Sequence, residues 1–129
     1  MGRSRRSHLA AGWLAAAAAL AAALAGHSGL AAPALPAPVQ VRAKEFAFDP
    51  RELVLPPGEL TFQVKNDGAI EHNFAIEDGA GKALGQIPII APGATETLRV
   101  TLRSGRLAMV CTLPGHREAG MHGTITVRL

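Results

Sequence analysis

Cysteine is nearly missing from this 129-residue sequence, in which Cys111 stands alone. One thiol excludes an intramolecular disulfide framework, a paired-cysteine redox motif and any multi-cysteine zinc or iron–sulfur site. A binuclear copper centre bridged by two cysteines is excluded with them. A surplus of charge is missing too, once the charges are placed along the chain. The formal net charge is +3, yet Arg3, Arg5 and Arg6 account for it, and beyond Gly26 ten basic residues face ten acidic ones. That near-neutral remainder offers no field to steer a nucleic acid. A phosphate-binding loop is absent, because Ala83 follows Gly81-Lys82 where Ser or Thr is needed and Ile76 stands where the first glycine should be. There is no internal repeat. Past the first 31 residues no long 3.6-residue apolar period survives, which argues against a helical or α/β fold.

What is present begins with an uncharged apolar run from Leu9 to Ala25, preceded by the three arginines and followed by small residues. This is the layout of a secretory signal. The run is rich in alanine and falls short of the ~20 residues of a full membrane span, so cleavage is expected rather than anchoring, after Ala31 or, as the competing point, after Ala25. Contact with a membrane is expected only if the segment is not cleaved. Ser4-Arg5-Arg6-Ser7-His8-Leu9 is also similar to a twin-arginine signal, with His8 where a bulky apolar residue usually stands, and an ordinary basic leader fits equally well. No cysteine follows the run, so a lipid anchor is not expected. The division of the chain is therefore a signal over 1–31, a Pro/Ala linker over 32–38 and a single domain over 39–129, exported to a periplasmic or other extracytoplasmic compartment.

Within that domain period-2 alternation recurs. Val39, Val41 and Ala43 alternate with Gln40, Arg42 and Lys44, and Leu60, Phe62 and Val64 with Thr61, Gln63 and Lys65; Leu98, Val100 and Leu102, then Ile125, Val127 and Leu129, repeat the pattern. Each reads as a strand with one apolar face. Turn signals at Pro56-Pro57-Gly58, Asn66-Asp67-Gly68, Asp78-Gly79, Pro92-Gly93 and Ser104-Gly105 separate the runs at sandwich-like spacing. The expectation is an all-β sandwich of two stacked antiparallel sheets with Greek-key connections.

The chemistry is concentrated in Cys111-Thr112-Leu113-Pro114-Gly115-His116-Arg117-Glu118-Ala119-Gly120-Met121-His122-Gly123, which spaces a thiol, an imidazole and a thioether as C-x4-H-x4-M. A second imidazole, His72, alternates with Phe74 and Ile76 and points inward if they do. Two histidines, one cysteine and a weak axial methionine make up the ligand combination of blue-copper electron-transfer sites. Soft sulfur donors favour Cu(I), and imidazoles also suit Cu(II). Singly, each residue has a plainer reading: a lone strand cysteine is often a small buried hydrophobe, a lone histidine a satisfied core or surface group, and Met121 packing. Their joint occurrence favours the metal. His122 should point away from it as a surface residue. Arg117 and Glu118 read as solvated loop charges, and Glu71, Glu77 and Asp78 have no convincing catalytic partner.

On these residues the sequence resembles the cupredoxins of the plastocyanin, azurin, auracyanin and rusticyanin kind. The resemblance covers roughly Val39 to Leu129. Phe46, Phe48, Pro50, Leu53 and Leu55, then Gly58, Thr61-Phe62, Val64, Asn66 and Gly68, follow the family pattern of the first half. The second half is more specific: His72-Asn73 resembles the first copper histidine and its neighbour, and Cys111, His116 and Met121 resemble the other three ligands at the loop spacing of auracyanin and rusticyanin. The Cys-to-His gap is longer than that of plastocyanins. The resemblance implies one copper ion cycling between Cu(II) and Cu(I), held by His72, Cys111, His116 and Met121. It implies a hydrogen bond from Asn73 to Thr112 joining the two ligand segments. It further implies that Leu113, Pro114, Gly115, Ala119 and Gly120, with Ala69 and Ile70 nearby, form an apolar patch around His116 for weak, transient contact with redox partner proteins. A monomeric electron carrier without enzymatic activity is the leading expectation, and copper delivery on the same fold is the alternative.

Overall fold

The computed structural model describes Gly26 and residues 28–129. The apolar run and the twin-arginine-like segment lie outside the described residues. Pro33–Leu129 forms one compact unit. Nine strands make it up: β1 (Val39–Lys44), β2 (Ala47–Asp49), β3 (Glu52–Leu55), β4 (Gly58–Asn66), β5 (His72–Glu77), β6 (Ala83–Ile90), β7 (Thr95–Leu102), β8 (Gly105–Val110) and β9 (His122–Val127). They build an all-β sandwich of a four-stranded sheet, ordered β2-β1-β4-β7, and a five-stranded sheet, ordered β3-β9-β8-β5-β6. Among the described residues no helix is long and apolar enough to cross a membrane.

The alternating runs become β1, β4, β7 and β9, and their apolar members fill the space between the sheets. Val41, Ala43, Leu60, Phe62, Val64, Val100, Leu102, Ile125 and Val127 are buried. The pattern stops one step early at the last of these runs, since β9 ends at Val127 and Leu129 is fully exposed. Three of the four phenylalanines meet in the core, where the ring centroid of Phe74 lies 5.5 Å from that of Phe48 and 5.7 Å from that of Phe62. Rings of this size are each worth roughly 1.5–3 kcal/mol when fully buried.

Strand direction departs from the expectation of antiparallel sheets. β1 pairs with β4 in parallel, and β3 with β9 likewise, whereas the remaining pairs are antiparallel. Alternation reports which face is buried and carries no information on direction. Between β1 and β4 the chain passes through β2 and then crosses to the other sheet for β3, and it returns running the same way. Pro88 sits within β6, an outer strand of its sheet, where the missing N–H interrupts no central ladder.

The fold brings one end of β5 beside the end of β8. Ala75 faces Val110 and Glu77 faces Ala108 across that pair, so the start of β5 and the residue following β8 emerge together. They are His72 and Cys111.

Candidate metal centre

β5 differs from a surface strand in that all six of its residues are buried. His72, Phe74 and Ile76 face the core as their alternation indicates. Asn73, Ala75 and Glu77, on the opposite face, are buried as well. The segment Thr112–Gly120 forms a structured loop beyond β8, and two of the buried outer residues bond directly to it. Asn73 donates from Nδ2 to Thr112 Oγ1 at 2.7 Å, and the Thr112 N–H donates to Asn73 Oδ1 at 2.7 Å. Arg117 donates to Glu77 Oε1 at 2.7 Å.

This last contact corrects the reading of Arg117 as a solvated charge and gives Glu77 an ion-pair partner. The Glu77 side chain is only 12% exposed and Arg117 44% exposed. A carboxylate buried so far needs a cation, and the loop supplies one forty residues away in sequence. Glu118 is exposed, and Glu71 is exposed beside His72.

The loop also bonds to itself. Cys111 N–H donates to the Met121 carbonyl at 3.1 Å and Met121 N–H to the His116 carbonyl at 3.0 Å, so the base of the loop is stitched shut. His116 N–H reaches the Leu113 carbonyl at 3.1 Å, a tight turn that Gly115 makes without strain at φ 81°. Cys111, His116 and Met121 are thereby brought to one end of the sandwich. Cys111, Met121 and His72 are completely buried, while His116 keeps an edge at the surface.

The metal-binding atoms of His72, Cys111 and His116 all lie within 4.8 Å of one another. Nδ1 of His72 is 3.3 Å from Nδ1 of His116, and Cys111 Sγ is 3.4 Å from the same His116 nitrogen. Trigonal bonds of roughly 2.0–2.3 Å from one ion to imidazole nitrogen and thiolate place donor atoms about 3.5 Å apart, so the spacing fits a single ion. Two imidazoles and a thiolate, with the thioether of buried Met121 on an adjoining segment, suit copper rather than a hard cation. The Asn73 N–H approaches Cys111 Sγ at 3.4 Å and gives the sulfur a hydrogen-bond donor from the neighbouring strand. Burial, and then the nearby His116, hold the His72 pKa below the ordinary imidazole value. The ring therefore stays neutral, as a ligand must be.

Of the expected apolar patch, Pro114, Gly115 and Ala119 are exposed, Gly120 is half-buried, and Leu113 is half-buried against the core. Ala69 and Ile70 are exposed beyond them, and His122 is exposed on β9. Two residues that the sequence placed only in the family pattern or a turn signal also contribute to the site. The Phe46 ring, 40% exposed, meets the His116 imidazole edge-on at a centroid distance of 5.2 Å. Asn66 is fully buried; its Nδ2 donates to the Ile70 and Ile90 carbonyls, both at 2.8 Å, and its Oδ1 accepts from the Gly68 N–H at 2.8 Å. That side chain organises the turn leading into His72. The Asn-Asp-Gly signal marked the turn, but nothing local revealed the burial.

Comparison with known proteins agrees with this geometry. A family model for the cupredoxin-like domain matches residues 11–127. The chain belongs to the cupredoxin-like family, and within it carries the donor pattern of a type 1 centre with one copper ion. It is 30% identical over 105 residues to the copper-resistant cuproprotein CopI of Rubrivivax gelatinosus, an alignment that takes in 68% of this chain and 64% of that protein. The chain thus spans under two thirds of that relative. In three dimensions it is similar to the dithionite-reduced auracyanin of Roseiflexus castenholzii, with a TM-score of 0.66 and 25% identity over 74% of this chain and all of that one. Auracyanin A of Chloroflexus aurantiacus, described as a blue copper protein, shares the fold with a TM-score of 0.56 and 24% identity, over 71% of this chain and all of its own.

Proposed function

We propose that this protein is a one-electron carrier whose copper would be held by His72, Cys111, His116 and Met121. The bound copper supplies the Cu(II)/Cu(I) couple. The observation that carries the reading is the contrast in exposure around the site: three of the four side chains are fully buried and only His116 reaches the surface. Buried donors keep water from the ligands, and a single exposed ring edge provides a short path for an electron.

The residues serve that task by staying where they are. Asn73 and Thr112 lock the two ligand-bearing segments together, and Arg117 with Glu77 fastens the loop from its other side. Donors that barely move between oxidation states keep the cost of each transfer low. Pro114, Gly115, Ala119 and Gly120, joined by Phe46 and Ile70, form the small apolar rim at which redox partner proteins dock briefly. Export through the Leu9–Ala25 segment would place this exchange outside the cytoplasm, with the domain acting as a monomer.

The name of the Rubrivivax gelatinosus relative favours a second reading, in which the same site sequesters or delivers copper. Delivery surfaces commonly use exposed methionines, and among the described residues both Met109 and Met121 are fully buried. Visible absorption and EPR spectra after addition of Cu(II) separate the two. A carrier shows an intense thiolate-to-copper band with narrow copper hyperfine splitting and exchanges electrons rapidly with a small redox complex. A colourless protein that takes only Cu(I) supports delivery, and one that takes no copper defeats both.

A further inference from the structure

Among the described residues, one buried side-chain polar atom lacks a hydrogen-bond partner, Nε2 of His72. Its sister atom Nδ1 points toward His116 and is the nitrogen offered to the metal. A neutral imidazole that gives up Nδ1 carries its proton on Nε2, so the unpartnered atom is a donor. Leaving a donor unmatched in a fully buried ring forfeits its whole solvation. The surroundings of that atom therefore bear on how the ring is held.

What faces Nε2 is the two-residue turn between β1 and β2. A side-chain carbon placed on Gly68 would press against the Glu45 carboxylate and lie 3.0 Å from His72 Nε2. The carboxylate and the nitrogen therefore both border the small space that a glycine leaves open. Glu45 is itself anchored, for its Oε1 accepts the Ala69 N–H. That bond, first among several, holds its pKa below the usual carboxylate range. The next residue, Phe46, has a left-handed backbone, φ 57°, uncommon for a bulky side chain. This conformation accompanies the edge-on contact of its ring with His116. One turn thus reaches both copper histidines from outside, Glu45 toward His72 and Phe46 onto His116.

Resting on the copper reading above, we propose that Glu45 is a positioning residue of the metal site: when copper holds Nδ1, a small turn of the exposed Glu45 side chain lets its carboxylate accept the His72 Nε2–H beside Gly68, which fixes the ring and sets a negative charge beside the copper. Metal-bound histidines commonly give their second N–H to a carboxylate in this way, which orients the ring and strengthens it as a ligand. An anion at that place favours Cu(II) over Cu(I) and lowers the reduction potential.

The test compares the full-length copper protein with its Glu45→Gln and Glu45→Ala variants. Glu45→Gln keeps an oxygen for the Ala69 N–H and removes only the charge. Its visible band should remain while its potential rises, and Glu45→Ala should in addition alter the EPR spectrum. Pulsed EPR of the Cu(II) form should show a changed remote-nitrogen quadrupole coupling for one histidine. NMR of the diamagnetic Cu(I) form should show the His72 Nε2–H exchanging with solvent faster than in the parent. Glu59→Gln, exposed on β4 and paired with Arg99, controls for loss of a negative charge elsewhere and should leave the potential unchanged. A coloured parent whose Glu45→Gln variant has the same potential and the same remote-nitrogen coupling would overturn this inference alone. A parent that takes up no copper would overturn the copper reading and this inference with it. If Glu45→Gln does not fold, the parent decides: a His72 Nε2–H that exchanges freely in the Cu(I) form refutes the bond.

Discussion

His72 and His116 turn the same imidazole nitrogen toward each other, yet they are held in opposite ways. His72 opens a strand buried on both faces, paired to β6 on one side and β8 on the other. His116 rides on a loop, kept in place by a few hydrogen bonds to the loop itself and to β5. The ladder makes the first histidine part of the core. The second owes its position to side chains, which leaves it free to reach the surface. A carrier of the proposed kind uses both, one donor fixed in the core and one that can be approached.

The strongest way to break this pairing is at the sulfur that lies beside both rings. Cys111→Ala removes the donor that lies 3.4 Å from His116 Nδ1, and complete loss of the thiolate-to-copper absorption is expected while the domain, which keeps its hydrophobic core, still folds by circular dichroism. A smaller effect is expected at Asn73→Ala, where both hydrogen bonds to Thr112 go at once. The loss should be about 1–3 kcal/mol, read as a lower denaturation midpoint in the apoprotein, and a heterogeneous copper EPR signal should show that the loop has loosened against β5. An unchanged midpoint would mean that the ladder alone fixes the ligands.

Arg117→Ala tests the other side of the loop. It strands the Glu77 carboxylate, and with Arg117 itself partly solvated the expected cost is about 1 kcal/mol. Adding Glu77→Gln should recover part of it, because the unpaired charge is then gone. A double variant no more stable than the single one would show that the pair contributes through packing.

The smallest effect belongs to Asp67, in the turn before His72. The Arg42 hydrogen bond, then that of Lys65, holds its pKa below 3.8. A carboxylate lowered on folding stabilises the native state above its unfolded value, and the contribution fades as pH falls through the folded one. Wild type and Asp67→Asn should therefore differ slightly in melting temperature at pH 7 and converge only in acid below about 3.8. A difference that persists there would point to geometry instead of charge.

Much of this was readable from the sequence, for identifiable reasons. Alternation located β1, β4, β7 and β9 because each has one wet face, and the C-x4-H-x4-M spacing marked three donors because they lie close along the chain. Strand direction was not readable, since the parallel pairs β1–β4 and β3–β9 depend on crossings between sheets. Nor was the union of Arg117 with Glu77, two residues that look solvated in their own neighbourhoods and meet only once the loop meets β5. Glu45 and Phe46 were hidden for a similar reason. Their role comes from a turn that approaches the histidines in space, and a left-handed phenylalanine leaves no mark on the residues around it.

The parallel pairing of β3 with β9 also sets the order in which this site can come into being. β3 lies at the border of its sheet, where β9 is its neighbour, and more than sixty residues of chain separate the two strands. Contacts this remote in sequence form slowly and late. As the polypeptide is synthesised, β5 can present His72 long before β9 exists to close the sheet beside Met121. Until then the histidine of β5 and the three donors of the loop have no completed sheet to hold them together. Metal capture is in this sense a report that the domain has finished folding.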